Sequence, residues 1–154
     1  MNIHFQLAQL ADIDILMRFM KEFYKFDRSD AFDEISAQAA MEKVVADKAV
    51  GRVWLIQTDT ETIGYMVLTL SYRLEYRGYY AFLDELYIRE EMRSQGIGTK
   101  ALSFLEQSCQ ALDVIVLQLE AKSNNVDAVN LYENLGFERQ DREILLKPIL
   151  KSVP

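Results

Sequence analysis

The chain has 154 residues and a mass of 17.9 kDa, the size of one ordinary domain with a single core. Half of its residues are hydrophobic and 27% are charged, which excludes a disordered or collagen-like chain. No apolar run reaches the ~20 residues that span a bilayer, and the first ten residues lack the basic start and long apolar middle of a secretory leader. Seventeen basic against 24 acidic residues give a net charge of −7, the wrong sign for a phosphate backbone. The expectation is a soluble cytoplasmic protein that binds neither nucleic acid nor membrane, in one domain covering residues 1–154.

After a short apolar opening at residues 3–7, Asp12 precedes Ile13, Leu16, Met17, Met20, Phe23 and Tyr24. That three-and-four spacing makes one face of a helix, with Asp12 as its cap. A second helix begins at Ser36 and carries Ala37, Ala40, Met41, Val44 and Val45 before fading near residues 47–51. From Gly51 the period changes. Residues 53–57 and 63–70 are β-branched and aromatic runs joined through Asp59 and Thr60, the pattern of a hairpin. A loop at residues 72–78 leads to a third strand at 79–88. Helical spacing returns at 97–112, a buried strand at 114–120, a helix at 126–135 closed by Gly136, and a last strand at 137–147. The order β-α-α-β-β-β-α-β-α-β predicts an α/β or α+β sheet with helices on its faces.

Two familiar chemistries are excluded by counting. Cys109 is the sole cysteine and His4 the sole histidine, so no internal disulfide, no paired-cysteine zinc site and no histidine metal cluster is expected. A histidine-activated serine or cysteine nucleophile is equally unexpected. Cys109 shares a helical stripe with Ala101, Leu105 and Leu112, which reads as a small buried core residue. His4 reads as a strand or surface residue.

The stretch Arg93-Ser94-Gln95-Gly96-Ile97-Gly98-Thr99 lies between the strand ending at Ile88 and the helix running to Leu112. Glycines let backbone N–H groups turn toward a ligand, and a helix start adds unpaired donors and partial positive charge. The pattern therefore reads as a pyrophosphate site. Gly96, Gly98 and Ala101 also fit a dinucleotide fingerprint, with Glu120 placed as a ribose-binding acid. Against that, seven residues separate Ile88 from Gly96, and too little chain remains for a doubly wound domain. A phosphate-binding P-loop lacks its Gly-Lys-Ser/Thr.

Arg-x-x-Gly-x-Gly after a strand resembles the coenzyme A loop of the GNAT superfamily of N-acetyltransferases. Residues 125–137, with Asn125, Ala128, Leu131, Tyr132, Gly136 and Phe137, resemble that family's second signature. Residues 83–88, Leu-Asp-Glu-Leu-Tyr-Ile, are similar to its cofactor strand and to the diamine and polyamine branch. The resemblance covers residues 3–148. It implies a mixed central sheet with helices on both faces, acetyl-coenzyme A as co-substrate, no metal, and direct transfer of acetyl to a primary amine, with a small cationic amine as acceptor.

The resemblance also implies roles. The cofactor strand and the strand at 114–120 splay, and backbone groups of Leu86, Tyr87 and Ile88 pair with the pantetheine arm. Arg93, Ser94, Gln95, Gly96, Ile97, Gly98 and Thr99 hold the pyrophosphate. Asn125 is either a helix cap or a pantetheine contact, and Arg93 either a phosphate contact or a solvated loop residue. Tyr132 is the acid for the departing thiolate, its plain alternative being an aromatic packing residue. Asp84 and Glu85 are the candidate bases, the alternative being that neither is a base and both only attract a cationic acceptor. Alternation puts Asp84 with Phe82, Leu86 and Ile88, and Glu85 with Leu83 and Tyr87, unless a bulge switches them. The acceptor pocket is implied at residues 24–40 and 72–78, rich in Tyr24, Phe26, Phe32, Tyr72 and Tyr76 and in Asp27, Asp30, Asp33, Glu34 and Glu75. Aromatics with acids suit an ammonium group and suit an ordinary amphipathic surface equally. The apolar end of the chain, residues 143–150, implies a homodimer paired through terminal strands.

Overall fold

The computed structural model describes residues 1–27 and 32–150, apart from the side chains of Phe26 and Asp27. Asp30 and those two side chains, expected at an acceptor pocket, lie outside the described residues. Five strands form one sheet in the order β1 (His4–Leu7), β2 (Gly51–Gln57), β3 (Thr62–Arg73), β4 (Gly78–Ile88) and β5 (Val114–Gln118). The first three ladders are antiparallel and the β4–β5 ladder is parallel. Parallel neighbours need a crossover. That crossover is α3 (Ile97–Ala111).

Alternation along the strands loads both faces of the sheet. Val53, Leu55, Tyr65 and Val67 point to α1 (Ile13–Asp27) and α2 (Glu34–Ala46), meeting Leu16, Met20 and Met41. Trp54, Ile56, Met66 and Leu68 point the other way, onto Ile97, Ala101, Leu105 and Cys109 of α3. Helices therefore cover both faces, as expected. Tyr132 of α4 (Val126–Asn134) packs at the rim of the second cluster. Three antiparallel ladders rule out the doubly wound parallel sheet that a dinucleotide domain requires.

Cys109 is 5% exposed and burial pushes its thiol up to about 11. The thiolate is the reactive form. A thiol reagent at neutral pH is therefore expected to leave the folded chain unlabelled and to titrate one thiol after unfolding. His4 lies at the surface, bonded to Asp59 at 2.7 Å.

Gly64 is required by a close approach of strands. A Cβ there would stand 2.0 Å from the carbonyl oxygen of Tyr87, so backbone must move. Gly64→Ala is expected to destabilise by about 1–3 kcal/mol, the range for overpacking a tight core. Calorimetry should then read a melting temperature lower by roughly 3–10 °C. An unshifted melting point would mean that the β3–β4 spacing relaxes freely.

Three sequence expectations are corrected. Asp12 does not cap α1; it ends a 3₁₀ turn, Leu10–Asp12, where its carboxylate accepts from the Gln9 N–H at 2.8 Å. α2 begins at Glu34 rather than Ser36, because Asp33 stands at its cap and the Ser36 hydroxyl donates to Asp33 Oδ2 at 2.7 Å. The strand expected at 137–147 is not formed. The stretch carries strand-prone residues, but a strand exists only as a member of a ladder, and no neighbour among the described residues pairs with it. Phe137 rests edge-on against Tyr132, Arg142 donates to Glu75 at 2.9 Å, and Leu145 and Leu146 are 91% and 88% exposed.

Candidate functional site

The β4–β5 ladder runs from Tyr79–Val114 to Phe82–Gln118 and stops. Among the described residues, the second half of β4 therefore has β3 on one side and no strand on the other. The Arg89 N–H donates to Ile63 O at 2.9 Å, and bonded pairs in an antiparallel ladder recur every second residue. In the register Tyr65–Tyr87 and Met66–Leu86, Tyr87 thus bonds to β3, while the backbone groups of Leu86 and Ile88 face the open edge. Two of the three expected backbone contacts are so directed. Tyr87 is not, and its ring is buried in the α1–α2 cluster.

Beyond Ile88 a 3₁₀ turn, Glu90–Met92, and the glycine loop lead into α3. Arg93 is tied back to the strand: its Nε donates to Ile88 O at 2.7 Å and its guanidinium lies 5.6 Å from the centre of the Tyr87 ring. The side chain is nonetheless exposed to solvent. Ser94 (φ 61°) and Gly96 (φ 78°) are left-handed, and Arg93 before them is extended. Gly96 caps the helix and Gly98 sits in its first turn. Gly98 has no positive φ, and a Cβ built on it meets nothing within 4 Å. Neither backbone strain nor packing explains a glycine there. A ligand lying against the helix start would.

β4 holds a bulge. Glu85 stands opposite Val67 and Leu83 opposite Leu68, so Asp84 is the extra residue between them. The bulge switches the faces: Leu83 joins the α3 cluster, whereas Tyr87 joins the α1–α2 cluster. Asp84 is exposed. Glu85, 8% exposed, is a buried charged side chain held at both oxygens, Oε1 accepting from the Tyr65 hydroxyl and Oε2 from the Tyr24 hydroxyl, each at 2.7 Å. Burial first, and the Glu85 charge second, raise the Tyr65 phenol well above its ordinary value. Tyr65 therefore remains a donor throughout the physiological range. Its role was not legible in the sequence, where it is one inward-facing residue among several.

The other expected acceptor residues divide. Phe32 packs on Tyr24 with ring centres 5.4 Å apart, near Glu85. Tyr72 and Tyr76 instead pair with Tyr79 and Tyr80 at the start of β4. Glu75 is held by Arg142, which lowers its carboxyl below the usual range. Glu34 meets Lys21 at 3.0 Å. Asn125 caps α4, its Oδ1 accepting from the Ala128 N–H at 3.3 Å. Tyr132 is half-buried, with its ring 6.0 Å from Phe137. No cluster of three or more histidine, cysteine or acidic side chains suited to a metal occurs among the described residues. No described helix is long and apolar enough to cross a membrane.

The sheet is mixed, and its parallel pair ends short beside a glycine loop at a helix start. The family model described as "Acetyltransferase (GNAT) family" matches residues 13–137, and the chain belongs to that family of acetyltransferases. An integron cassette protein from the mobile metagenome of Cole Harbour Salt Marsh is 32% identical, with a TM-score of 0.85 over 97% of this chain and 92% of that one. At fold level the chain is also similar to an aminoglycoside N-acetyltransferase in complex with coenzyme A (12% identity, TM-score 0.78, 96% and 95% covered). A second such enzyme, from an uncultured soil sample and in complex with sisomicin, gives 12% identity and a TM-score of 0.75 over 97% of each chain. No curated protein matches the chain.

Proposed function

We propose that the chain is one cytoplasmic N-acetyltransferase domain that moves an acetyl group from acetyl-coenzyme A to a small cationic amine, both bound at once. The observation that carries the reading is the open β4 edge beside Gly98: backbone groups of Leu86 and Ile88 on one side, and on the other a helix start whose glycine leaves room for phosphate. These residues fit the coenzyme, with Leu86 and Ile88 holding the pantetheine arm and residues 93–99 the pyrophosphate. Arg93 adds charge, and the Asn125 amide adds a further contact. Acetyl-coenzyme A supplies an activated thioester.

The chain's own residues then have three tasks. An alkylammonium has a reference pKa of ~10.4 and must lose a proton before it attacks. Asp84 or Glu85 accepts that proton. A backbone N–H at Leu86 or Ile88 polarises the carbonyl under attack, and the Tyr132 hydroxyl gives a proton to the departing sulfur. What supports a cationic acceptor is the pairing of the Glu85 carboxylate with aromatic residues on the α1–α2 face.

The test is thiol release from acetyl-coenzyme A across a panel of diamines, polyamines, aminoglycosides and lysine-containing peptides, beside calorimetry with acetyl-coenzyme A, coenzyme A and NAD. Turnover of small diamines or polyamines is expected. Turnover of peptides alone would move the acceptor to a protein amine, and tight coenzyme binding with no turnover would make the chain a binding module. Preference for NAD would sink the reading. The exposed Ile144, Leu145, Leu146, Ile149 and Leu150 further support a homodimer, and light scattering should read twice the 17.9 kDa chain mass; a monomer would remove that part alone.

A further inference from the structure

The α1–α2 face of the sheet holds a feature that family membership does not explain. Glu85 lies inside an aromatic cluster: Tyr24 packs on Phe23 and Phe32, and Tyr87 packs on Phe23 and Tyr65 at centre distances of 5.4–6.3 Å. Burying a carboxylate among rings is costly unless hydrogen bonds replace its water. Here each oxygen receives a phenol hydroxyl at 2.7 Å, one from β3 and one from α1. The bulge at Asp84 is what turns Glu85 to this face. The two donors reach different oxygens of the acid, so its rotation is fixed by two separate elements.

We infer that Tyr24 and Tyr65 are positioning residues that hold Glu85 as a fixed anion within an aromatic wall, and that this trio selects an alkylammonium acceptor over an uncharged amine. The inference rests on the reading of the α1–α2 face as the acceptor side. Tyr65 supplies the permanent anchor, being buried and kept protonated. Tyr24 is the adjustable member, half-buried and carried on the last turns of α1, where its ring also touches Phe32 just before α2. The wall offers ring faces to the cation and the trio offers it a directed charge.

Tyr24→Phe tests this, since it deletes one hydroxyl and keeps the ring. Steady-state kinetics with 1,4-diaminobutane and with aniline, uncharged at neutral pH, should be read beside calorimetric binding of coenzyme A and of the diamine to the coenzyme-saturated protein. The expected result is a KM and Kd for the diamine raised roughly 10- to 100-fold, the scale of one hydrogen bond to a charged group. Expected alongside are a kcat within about threefold, unchanged coenzyme affinity, and no change for aniline whether or not it is accepted. Glu85→Gln should erase the preference for the cation. Diamine KM and Kd unchanged in Tyr24→Phe would overturn the inference, as would a fall in melting temperature as the sole change. If the wild type binds acetyl-coenzyme A but neither binds nor acetylates any cationic amine, the acceptor reading falls and the inference falls with it. If the wild type and Tyr24→Phe acetylate the diamine alike, the inference alone falls.

Discussion

Tyr132→Phe is expected to lower kcat by roughly 10–10³-fold, within or somewhat below the usual contribution of one general acid. Coenzyme affinity should stay nearly constant. The phenyl ring that packs against the α3 cluster and against Phe137 is retained, and α4 keeps its Asn125 cap. A loss in kcat with kcat/KM falling in step marks an interaction made in the transition state. A hydroxyl that only packs predicts turnover within about twofold, with any deficit appearing as a lower melting temperature. Steady-state kinetics on an accepted amine together with calorimetric binding of acetyl-coenzyme A separates the two. A fully active and equally stable variant would pass the proton-donor task to water or to the proton released by the substrate ammonium.

Periodicity located most of the fold because each element carries its own repeat. The hairpin of β2 and β3, the three-and-four stripe of α3 and the glycine loop were all readable from neighbours in sequence. What escaped depends on residues far apart. The bulge at Asp84 is a relation between β4 and its β3 partner, so the run Leu-Asp-Glu-Leu says only that two acids are adjacent. The role of Tyr65 arises from a hydroxyl meeting a carboxylate 20 residues away, and an alternating strand pattern records the inward face without the polar tip. Residues 137–147 failed for the same reason in reverse: their propensity is local, whereas a strand needs a partner. The site divides similarly, since the place of Leu86 and Ile88 on the strand is local, while the faces that Asp84 and Glu85 take needed three dimensions.

Gly98→Ala is the second large effect, and it pulls stability and binding in opposite directions. Within the chain the methyl group is harmless: Gly98 has ordinary helical φ and its Cβ meets nothing within 4 Å. Alanine is the better helix former by up to ~1 kcal/mol, so the melting temperature should hold or rise. The added carbon projects where the coenzyme pyrophosphate is proposed to meet the first N–H groups of α3. Hydrogen bonds to a charged group contribute about 1.5–3 kcal/mol, so losing one should weaken acetyl-coenzyme A binding roughly 10- to 100-fold. Gly96→Ala makes the useful contrast. Its φ of 78° puts the penalty in the backbone, about 1–2 kcal/mol for an L-residue, so that variant should lose stability whatever it does to binding. Calorimetric Kd values and melting temperatures for both variants therefore distinguish a glycine kept for the chain from one kept for a ligand. Unchanged affinity in Gly98→Ala would mean that the pyrophosphate stands off from this turn and is held by Arg93 and the N–H groups before Gly96 instead.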